Sequence, residues 1–154
     1  DEHDIDHGVW VPLLHLLPKA NIPVVEISMP ISLNPMQAIA LGESLSELRA
    51  RGVMMIGSGS LTHNLYDLRP ENSSVADYVR DFTEWMRARV LTYSLDELSD
   101  YRKQAPYAEM AHPTDEHLLP LFFALGASGG GDVQVLSTEV NYGVISMESY
   151  AWGV

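Results

Sequence analysis

The apolar positions of the amino-terminal third alternate between helix-like and strand-like spacing. An almost wholly apolar run predicts a helix over Val9–Leu17, and the run Ile22–Ile27 predicts a buried strand. A stripe at three- and four-residue steps then predicts a helix over 36–51 with Gly52 as its left-handed stop. The continuously apolar Val53–Ile56 predicts a second interior strand. Strand, helix and strand in this order indicate one right-handed crossover unit.

The rest of the chain predicts three further helices, one of them a short exposed helix over Leu95–Arg102, and two closing strands. Ser74 and Asp77 have the spacing of a capping box and predict the start of an amphipathic helix. A second helix is predicted over Thr114–Gly126, and two strands over 133–136 and 142–150. Together the elements predict an α/β fold with a mostly parallel or mixed central sheet flanked by helices.

Composition limits the classes of protein to which the chain can belong. Its 154 residues fit one domain with a sizeable core. The net charge of −12, without any Lys/Arg-rich run, argues against a nucleic-acid partner, and no apolar run is long enough for a membrane span. The absence of cysteine excludes disulfides and is typical of a cytoplasmic protein. Because the chain opens on Asp1 and not on Met, we expect a removed leader or the later part of a longer protein.

A glycine-bearing loop after the second predicted strand carries His63. Gly57 and Gly59 suggest a nucleotide loop, but the third glycine of the dinucleotide pattern would fall at Thr62, and the lysine of a phosphate loop is absent. The loop therefore predicts a strand end at which a ligand can approach the backbone and His63 can project into a crevice. A histidine that only packs within its loop is an equally good interpretation.

Two further histidines lie at predicted helix mouths. His117 would be the third residue of the helix from Thr114, where the helix dipole favours the neutral imidazole that binds metals. A partly exposed histidine in an ordinary capped helix is the alternative. Asp6 beside His7 would set the tautomer of that ring or raise its pKa. The other three histidines predict structural or solvated roles, with His112 also a candidate by proximity, His15 in the core and His3 at the solvated terminus.

Taken in order, six segments of the chain resemble the class III extradiol ring-cleavage dioxygenases. The branch that they resemble is the DOPA-dioxygenase-like one of the protocatechuate 4,5-dioxygenase beta-subunit superfamily. The segments are Asp6–Trp10, Ala20–Val25, Leu48–Val53, Gly57–Leu65, Pro113–Leu121 with Leu125–Ala127, and Gly143–Tyr150. They cover nearly the whole chain, and it is their joint occurrence that is specific.

The resemblance implies a non-haem Fe(II) enzyme, often crystallised with zinc, that uses O₂ to open a catechol ring beside its hydroxyls. His117 matches the family's late metal ligand. His63 matches the histidine beside the metal, which either acts as an acid–base catalyst or itself reaches the metal. His7 matches a substrate-side histidine that hydrogen-bonds an oxygen of the bound ring. The expected partners are a small catechol and O₂.

The chain departs from the family pattern because the family's amino-terminal half is missing. Members carry two further histidine ligands there, one in a His-Gly-Ser-Pro motif and one in an Ala-His pair that follows a strand. The first motif is absent here, and no Ala-His pair follows a predicted strand. We therefore expect residues 1–154 to be the carboxyl-terminal portion of a single domain, completed by a missing amino-terminal half or a complementary chain, and inactive alone. Two alternatives stay open: a binding or scaffold protein that kept the fold and lost the metal, and a metal-dependent hydrolase on the same scaffold.

Overall fold

The structure, a computed structural model, describes residues 5–153 and divides them between two compact units. The first unit ends at Ser32 and contains one helix, α1 (His7–Leu16). The second unit begins at Leu33, continues to the end of the described residues, and contains their remaining helices and strands. Within residues 5–153, no helix is both long and apolar enough to span a bilayer.

Helices dominate the second unit, and two small antiparallel sheets accompany them. The α-helices are α2 (Pro35–Leu45), α3 (Asp77–Leu91), α4 (Leu95–Ser99), α5 (Tyr101–Gln104), α6 (Ala108–Ala111) and α7 (Leu119–Ser128). The strands are β1 (Val133–Ser137), β2 (Val140–Asn141), β3 (Ile145–Ser146) and β4 (Ser149–Trp152). β1 pairs with β4 across a register shift, and β2 pairs with β3. The predicted α/β class is confirmed.

Helix α1 begins two residues earlier than the apolar pattern predicts. The Asp6 carboxylate accepts a hydrogen bond of 2.7 Å from the N–H of Gly8, so that the acidic residue caps the first turn. His15, predicted to lie in the core, is exposed, and none of the residues of α1 is buried within the described structure. His3 lies outside the described residues.

Helix α2 has a strong start and a gradual end. Asn34 and Gln37 form a reciprocal capping box, with Pro35 in the first turn. The final part of the predicted helix is a 3₁₀ segment, Ser46–Arg51, and Gly52 follows with φ of 81°. The predicted helix and its glycine stop are therefore confirmed, because a left-handed glycine is a common way for a helix to end.

Two glycines bring α2 and α7 into backbone contact. A Cβ added to Gly42 would lie 2.1 Å from the carbonyl oxygen of Phe123, and a Cβ added to Gly126 would lie 2.0 Å from that of Ile39. Both distances are far shorter than any real carbon–oxygen contact. The helices can therefore approach only where neither has a side chain, which fixes α7 on α2.

The core of the second unit lies between α3, α5 and α7. Its largest fully buried side chains include Phe82, Met86, Tyr101, Phe122 and Leu125. The Phe82 and Tyr101 rings meet edge to face with centroids 6.2 Å apart, and the Tyr101 and Phe122 rings lie 5.7 Å apart. This aromatic packing joins α3 and α5 to α7.

The predicted start of α3 at Ser74 is wrong. The helix begins at Asp77, after Ala76, and no side chain caps it. The N–H of Ala76 instead donates to the carbonyl of Gly143, and Gly143 is packed closely enough against the Ser74 carbonyl that a Cβ there would lie 2.9 Å away. Pairing with the turn before β3 therefore replaces the first helical turn that the capping-box spacing predicts.

The two predicted interior strands are not formed among the described residues. Both Ile22–Ile27 and Val53–Ile56 are neither helix nor strand. Their apolar side chains reach solvent, and Val25 is 84% exposed and Met54 73% exposed. The parallel part of the predicted sheet is accordingly wrong for these residues, because a continuously apolar strand needs partners on both faces that the described chain does not supply.

Candidate functional site

Two of the three predicted site histidines lie against each other. The rings of His63 and His117 are stacked with centroids 3.6 Å apart and planes inclined by 13°. Both residues are half-buried. Residues 54 positions apart in sequence thus form one stacked pair of imidazoles that is partly exposed to solvent.

The loop that carries His63 is held against the chain that carries His117. The N–H of Ser60 donates a 2.8 Å hydrogen bond to the carbonyl of His117. A Cβ on Gly59 would lie 2.2 Å from the same carbonyl oxygen, and one on Gly57 would lie 2.1 Å from the carbonyl oxygen of Pro120. The glycines predicted to let a ligand approach the backbone instead let the backbone of the other histidine segment approach it.

Three consecutive residues at the end of α6 hold the His63 loop from the other side. The carbonyl of Met110 accepts from the Asn64 side-chain amide at 2.8 Å, and the carbonyl of Ala111 accepts from the N–H of His63 at 2.9 Å. The Nε2 of His112 lies 2.8 Å from the carbonyl oxygen of Leu61. We call Met110, Ala111 and His112 the 110–112 clamp.

Thr62 anchors the loop to β3. Its buried hydroxyl donates to the carbonyl of Val144 at 2.8 Å and accepts from the N–H of Ser146 at 2.7 Å. Both hydrogen-bonding functions of the hydroxyl are therefore used inside the protein, which fixes the residue immediately before His63.

His117 does not lie within a helix, contrary to prediction. Helix α7 begins at Leu119, and the hydroxyl of Thr114 bonds the Glu116 carboxylate at 2.6 Å in place of capping a helix. The turn before α7 is held in place by Asp115, which accepts hydrogen bonds from Tyr101 and Arg102. Pro120 then lies in the first turn of α7, where its missing N–H costs least.

The electrostatic setting keeps His63 neutral more readily than a free imidazole. Partial burial is the main cause of its lowered pKa, the adjacent His117 lowers it further, and Glu116 opposes both. The pKa of Glu116 is itself lowered, chiefly by the hydrogen bond from Thr114. The Nδ1 of His117 lies 3.3 Å from a Glu116 oxygen, yet it has no hydrogen-bond partner among the described residues.

His7 belongs to the first unit, where it is the first residue of α1. Its side chain is 82% exposed, and its Nδ1 lies 3.5 Å from the Oδ1 of Asp6. The predicted pairing of this histidine with a neighbouring carboxylate is thus present, and its convergence with His63 and His117 stays a prediction.

Comparison with known proteins decides the family. Residues 1–153 match the family described as the catalytic LigB subunit of aromatic ring-opening dioxygenase. The chain belongs to this family. It is 35% identical over 147 residues to a 4,5-DOPA dioxygenase extradiol of Beta vulgaris, covering 95% of this chain and 55% of the relative. It is 31% identical over 153 residues to the protein of the same name from Escherichia coli (strain K12), covering 96% of this chain and 56% of the relative.

A solved structure has the same fold. An uncharacterised protein of Escherichia coli K12 superposes with a TM-score of 0.89 at 28% sequence identity, covering 99% of this chain and 64% of that one. The chain therefore spans about half the length of these curated relatives and under two thirds of the solved neighbour.

The donor atoms of this LigB-family chain fit a share of a metal site and not a whole one. The orphaned, buried Nδ1 of His117 is an observation that suits a ligand residue. However, residues 5–153 contain no group of three or more His, Asp or Glu side chains placed to hold a metal ion. Catalytic metal sites in proteins use about three protein ligands. A complete site would need donors from elsewhere.

The sequence reasoning missed the residues that hold the histidine pair together. Thr62 and Asp115 lie in segments that resemble the family, and Arg102 ends a predicted exposed helix, but no sequence feature assigns a supporting role to these residues or to Ala111. None of them lies in a motif with its own chemistry, and a buried threonine or a backbone carbonyl gives no sequence signal. His112 had a signal, since a histidine among apolar residues before a proline indicates a buried, bonded ring.

Proposed function

We propose that the protein to which this chain belongs is a non-haem Fe(II) extradiol dioxygenase that opens a catecholic ring with O₂. The observation that carries the proposal is the stacked pair of His63 and His117 in a chain of the LigB family. The relatives named 4,5-DOPA dioxygenase extradiol support a catechol with a polar side chain as the substrate class. Because the chain has no cysteine, we keep a cytoplasmic location as part of the proposal.

His117 is the metal ligand that this chain contributes, and the other ligands come from outside the 154 residues. The family's missing amino-terminal half, or a complementary chain, supplies them. When bound, the iron provides the redox chemistry that lets O₂ react with the ring. Support comes from the buried Nδ1 of His117, which makes no hydrogen bond among the described residues although a Glu116 oxygen lies 3.3 Å away.

His63 is an acid–base catalyst and not a second ligand. The lone pairs of an imidazole lie in its ring plane, and a nitrogen ligand lies about 2.1 Å from its metal. Two rings with centroids 3.6 Å apart and planes inclined by only 13° keep their lone pairs in two separate, nearly parallel planes, which does not favour a common metal ion. The arrangement therefore favours one ligand with a second imidazole beside it.

The neutral form of His63 has a lone pair that can take a proton from a catechol hydroxyl. Partial burial and the neighbouring His117 lower the pKa of His63, so that this form predominates near neutral pH. The acid form that results is then able to return the proton to the opened product. The exposed ring of His7 would donate a hydrogen bond to an oxygen of the bound substrate, with Asp6 adjacent to fix its tautomer.

Substitution of each histidine in the natural full-length protein tests these roles. We expect His117→Ala to lose bound metal and ring cleavage together. We expect His63→Gln to keep its metal but to lose about 100- to 10,000-fold in kcat, the usual contribution of an acid–base residue. His15→Ala, which changes an exposed histidine of α1, is the matched control and should leave both quantities unchanged. Metal content by elemental analysis and oxygen uptake with catechols, followed by the yellow product, are the measurements.

Other results of these experiments would indicate a different function. Full metal occupancy in His117→Ala would remove that residue from the site. A full-length protein without metal that binds catechols but takes up no oxygen would be a scaffold, and a metal-loaded one that hydrolyses esters or amides without oxygen uptake would be a hydrolase.

A further inference from the structure

One of the contacts that the 110–112 clamp makes with the loop uses a side chain of the clamp. Met110 and Ala111 hold the loop through their backbone carbonyls, which any residue would supply. His112 holds it through its imidazole, whose Nε2 lies 2.8 Å from the carbonyl oxygen of Leu61. Leu61 is two residues before His63, and Ala111 bonds His63 itself. The clamp thus contacts the Leu61 backbone before His63, the backbone N–H of His63 itself, and the Asn64 side chain after it.

The chemistry of the contact fixes the state of the His112 ring. A carbonyl oxygen only accepts hydrogen bonds, so the Nε2 must carry the proton and donate it. His112 is fully buried, and burial is the main reason why its pKa is lowered to about 4. The ring is therefore a neutral donor throughout the physiological pH range.

Packing alone does not explain a histidine at this place. The Nδ1 of His112 is buried without a hydrogen-bond partner among the described residues, which is unfavourable for the folded state. The adjacent ring is Phe82, with its centroid 5.8 Å away. An apolar side chain would fill such a place without that cost, so the donor at Nε2 is what the position requires.

We propose that His112 is a positioning residue, which acts through the Leu61 carbonyl to hold His63 in its stack on His117. Since no part of His112 reaches solvent, it touches no substrate and acts only through the loop. The inference rests on the acid–base role proposed for His63. Its structural half, the placement of the His63 ring, is measurable without any turnover.

Two variants and one measurement on the wild type test the proposal in the full-length protein. His112→Phe keeps a ring but removes the donor, and His112→Gln places an amide N–H at a similar reach. We expect His112→Phe to lose the nuclear Overhauser effect between the His63 and His117 ring protons and to lose about 100-fold in kcat, with KM changed by less than about twofold. We expect His112→Gln to restore most of both. In the wild type, nitrogen-15 spectra should show the Nε2–H neutral tautomer of His112.

Each contrary result is decisive. If His112→Phe keeps the ring–ring contact and kcat, and only its melting temperature falls, His112 is a packing residue and the proposal is overturned. An Nδ1–H tautomer in the wild type overturns it too, because that ring could not donate to Leu61. If His112→Phe fails to fold, the wild-type tautomer and the kcat of His112→Gln decide alone. Wild-type protein without ring cleavage would instead reject the proposed function, while the ring contact would still test the positioning.

Discussion

At the residue scale, the site depends on how neutral imidazoles are kept neutral. His63 and His112 both have lowered pKa values, and burial is the leading cause in each. The two residues differ in exposure, since His63 is half-buried in its stack with His117 whereas His112 is fully buried in the core. Protonation of His112 therefore lowers the free energy of unfolding of the protein.

The stability of the protein should fall in acid because of His112. The pKa of His112 is about 4 in the folded state, against 6.5 for an ordinary histidine. Burial is the main cause, Arg102 and His63 lower the pKa further, and Leu61 and Asp115 oppose the shift. Between these values the unfolded chain binds the extra proton, so stability is full above about pH 6.5 and declines toward pH 4. From pH 7.5 to pH 5 the loss is about 2 kcal/mol.

Urea unfolding of the wild type and of His112→Gln at both pH values measures this loss. The carboxylates titrate in both proteins, so the difference in their pH dependence isolates His112. Parallel stability curves for the two proteins would mean that the ring titrates equally in the folded and unfolded states, which would contradict its burial.

The sequence locates two residues of the candidate site but not the contacts that hold them. His63 and His117 were identified from a loop and a helix mouth together with the family resemblance, and they do lie together. The predicted helical position of His117 is wrong, because Asp115 accepts hydrogen bonds from Tyr101 and Arg102 and the chain forms a turn before α7. Such long-range bonds leave no periodic trace in a sequence, so neither they nor the role of Thr62 could be predicted.

At the element scale, periodicity located the helices and tertiary contacts moved their ends. Helix α2 and its Gly52 stop follow the pattern because the capping box is local. Helix α3 starts later than its capping-box signal because Ala76 bonds the distant Gly143. The same limit explains Val53–Ile56, whose apolar run predicts a strand but whose partner is absent from the described residues.

The crossing of α2 and α7 gives a prediction on stability. We expect Gly126→Ala to destabilise the protein by about 3 kcal/mol, because its new Cβ would overlap the carbonyl of Ile39 and push the helices apart. Gly129→Ala is the matched control: it lies just past the same helix with φ of 66° and open space around it, so it should cost only about 1 kcal/mol of backbone strain. Denaturant unfolding compares the two, and equal losses would show that the helices separate without cost.

At the scale of the whole molecule, apolar surface supports the proposal that the domain is incomplete. Val25 and Met54 are far more exposed than interior strand residues usually are. The relatives are nearly twice as long as the matched region. A segment outside the 154 residues that covered these side chains would also be the natural source of the remaining metal ligands.

We expect residues 1–154 alone, supplied with Fe(II), to take up no oxygen with catechols. We expect the same chain joined to its natural amino-terminal partner segment to do so, because only then would three ligands be present. Oxygen electrode traces and metal titrations of the two proteins provide the comparison. Ring opening by the shorter protein would refute the claim that its metal site is shared.

The 110–112 clamp has a practical consequence for protein engineering. It reaches the loop through the Leu61 carbonyl, the His63 N–H and the Asn64 amide, and it makes no use of the imidazole at position 63. A designer could therefore exchange that side chain for a carboxylate, a thiol or an unnatural base and expect the backbone of the loop to keep its position. The scaffold would therefore orient a new side chain at position 63 without further redesign.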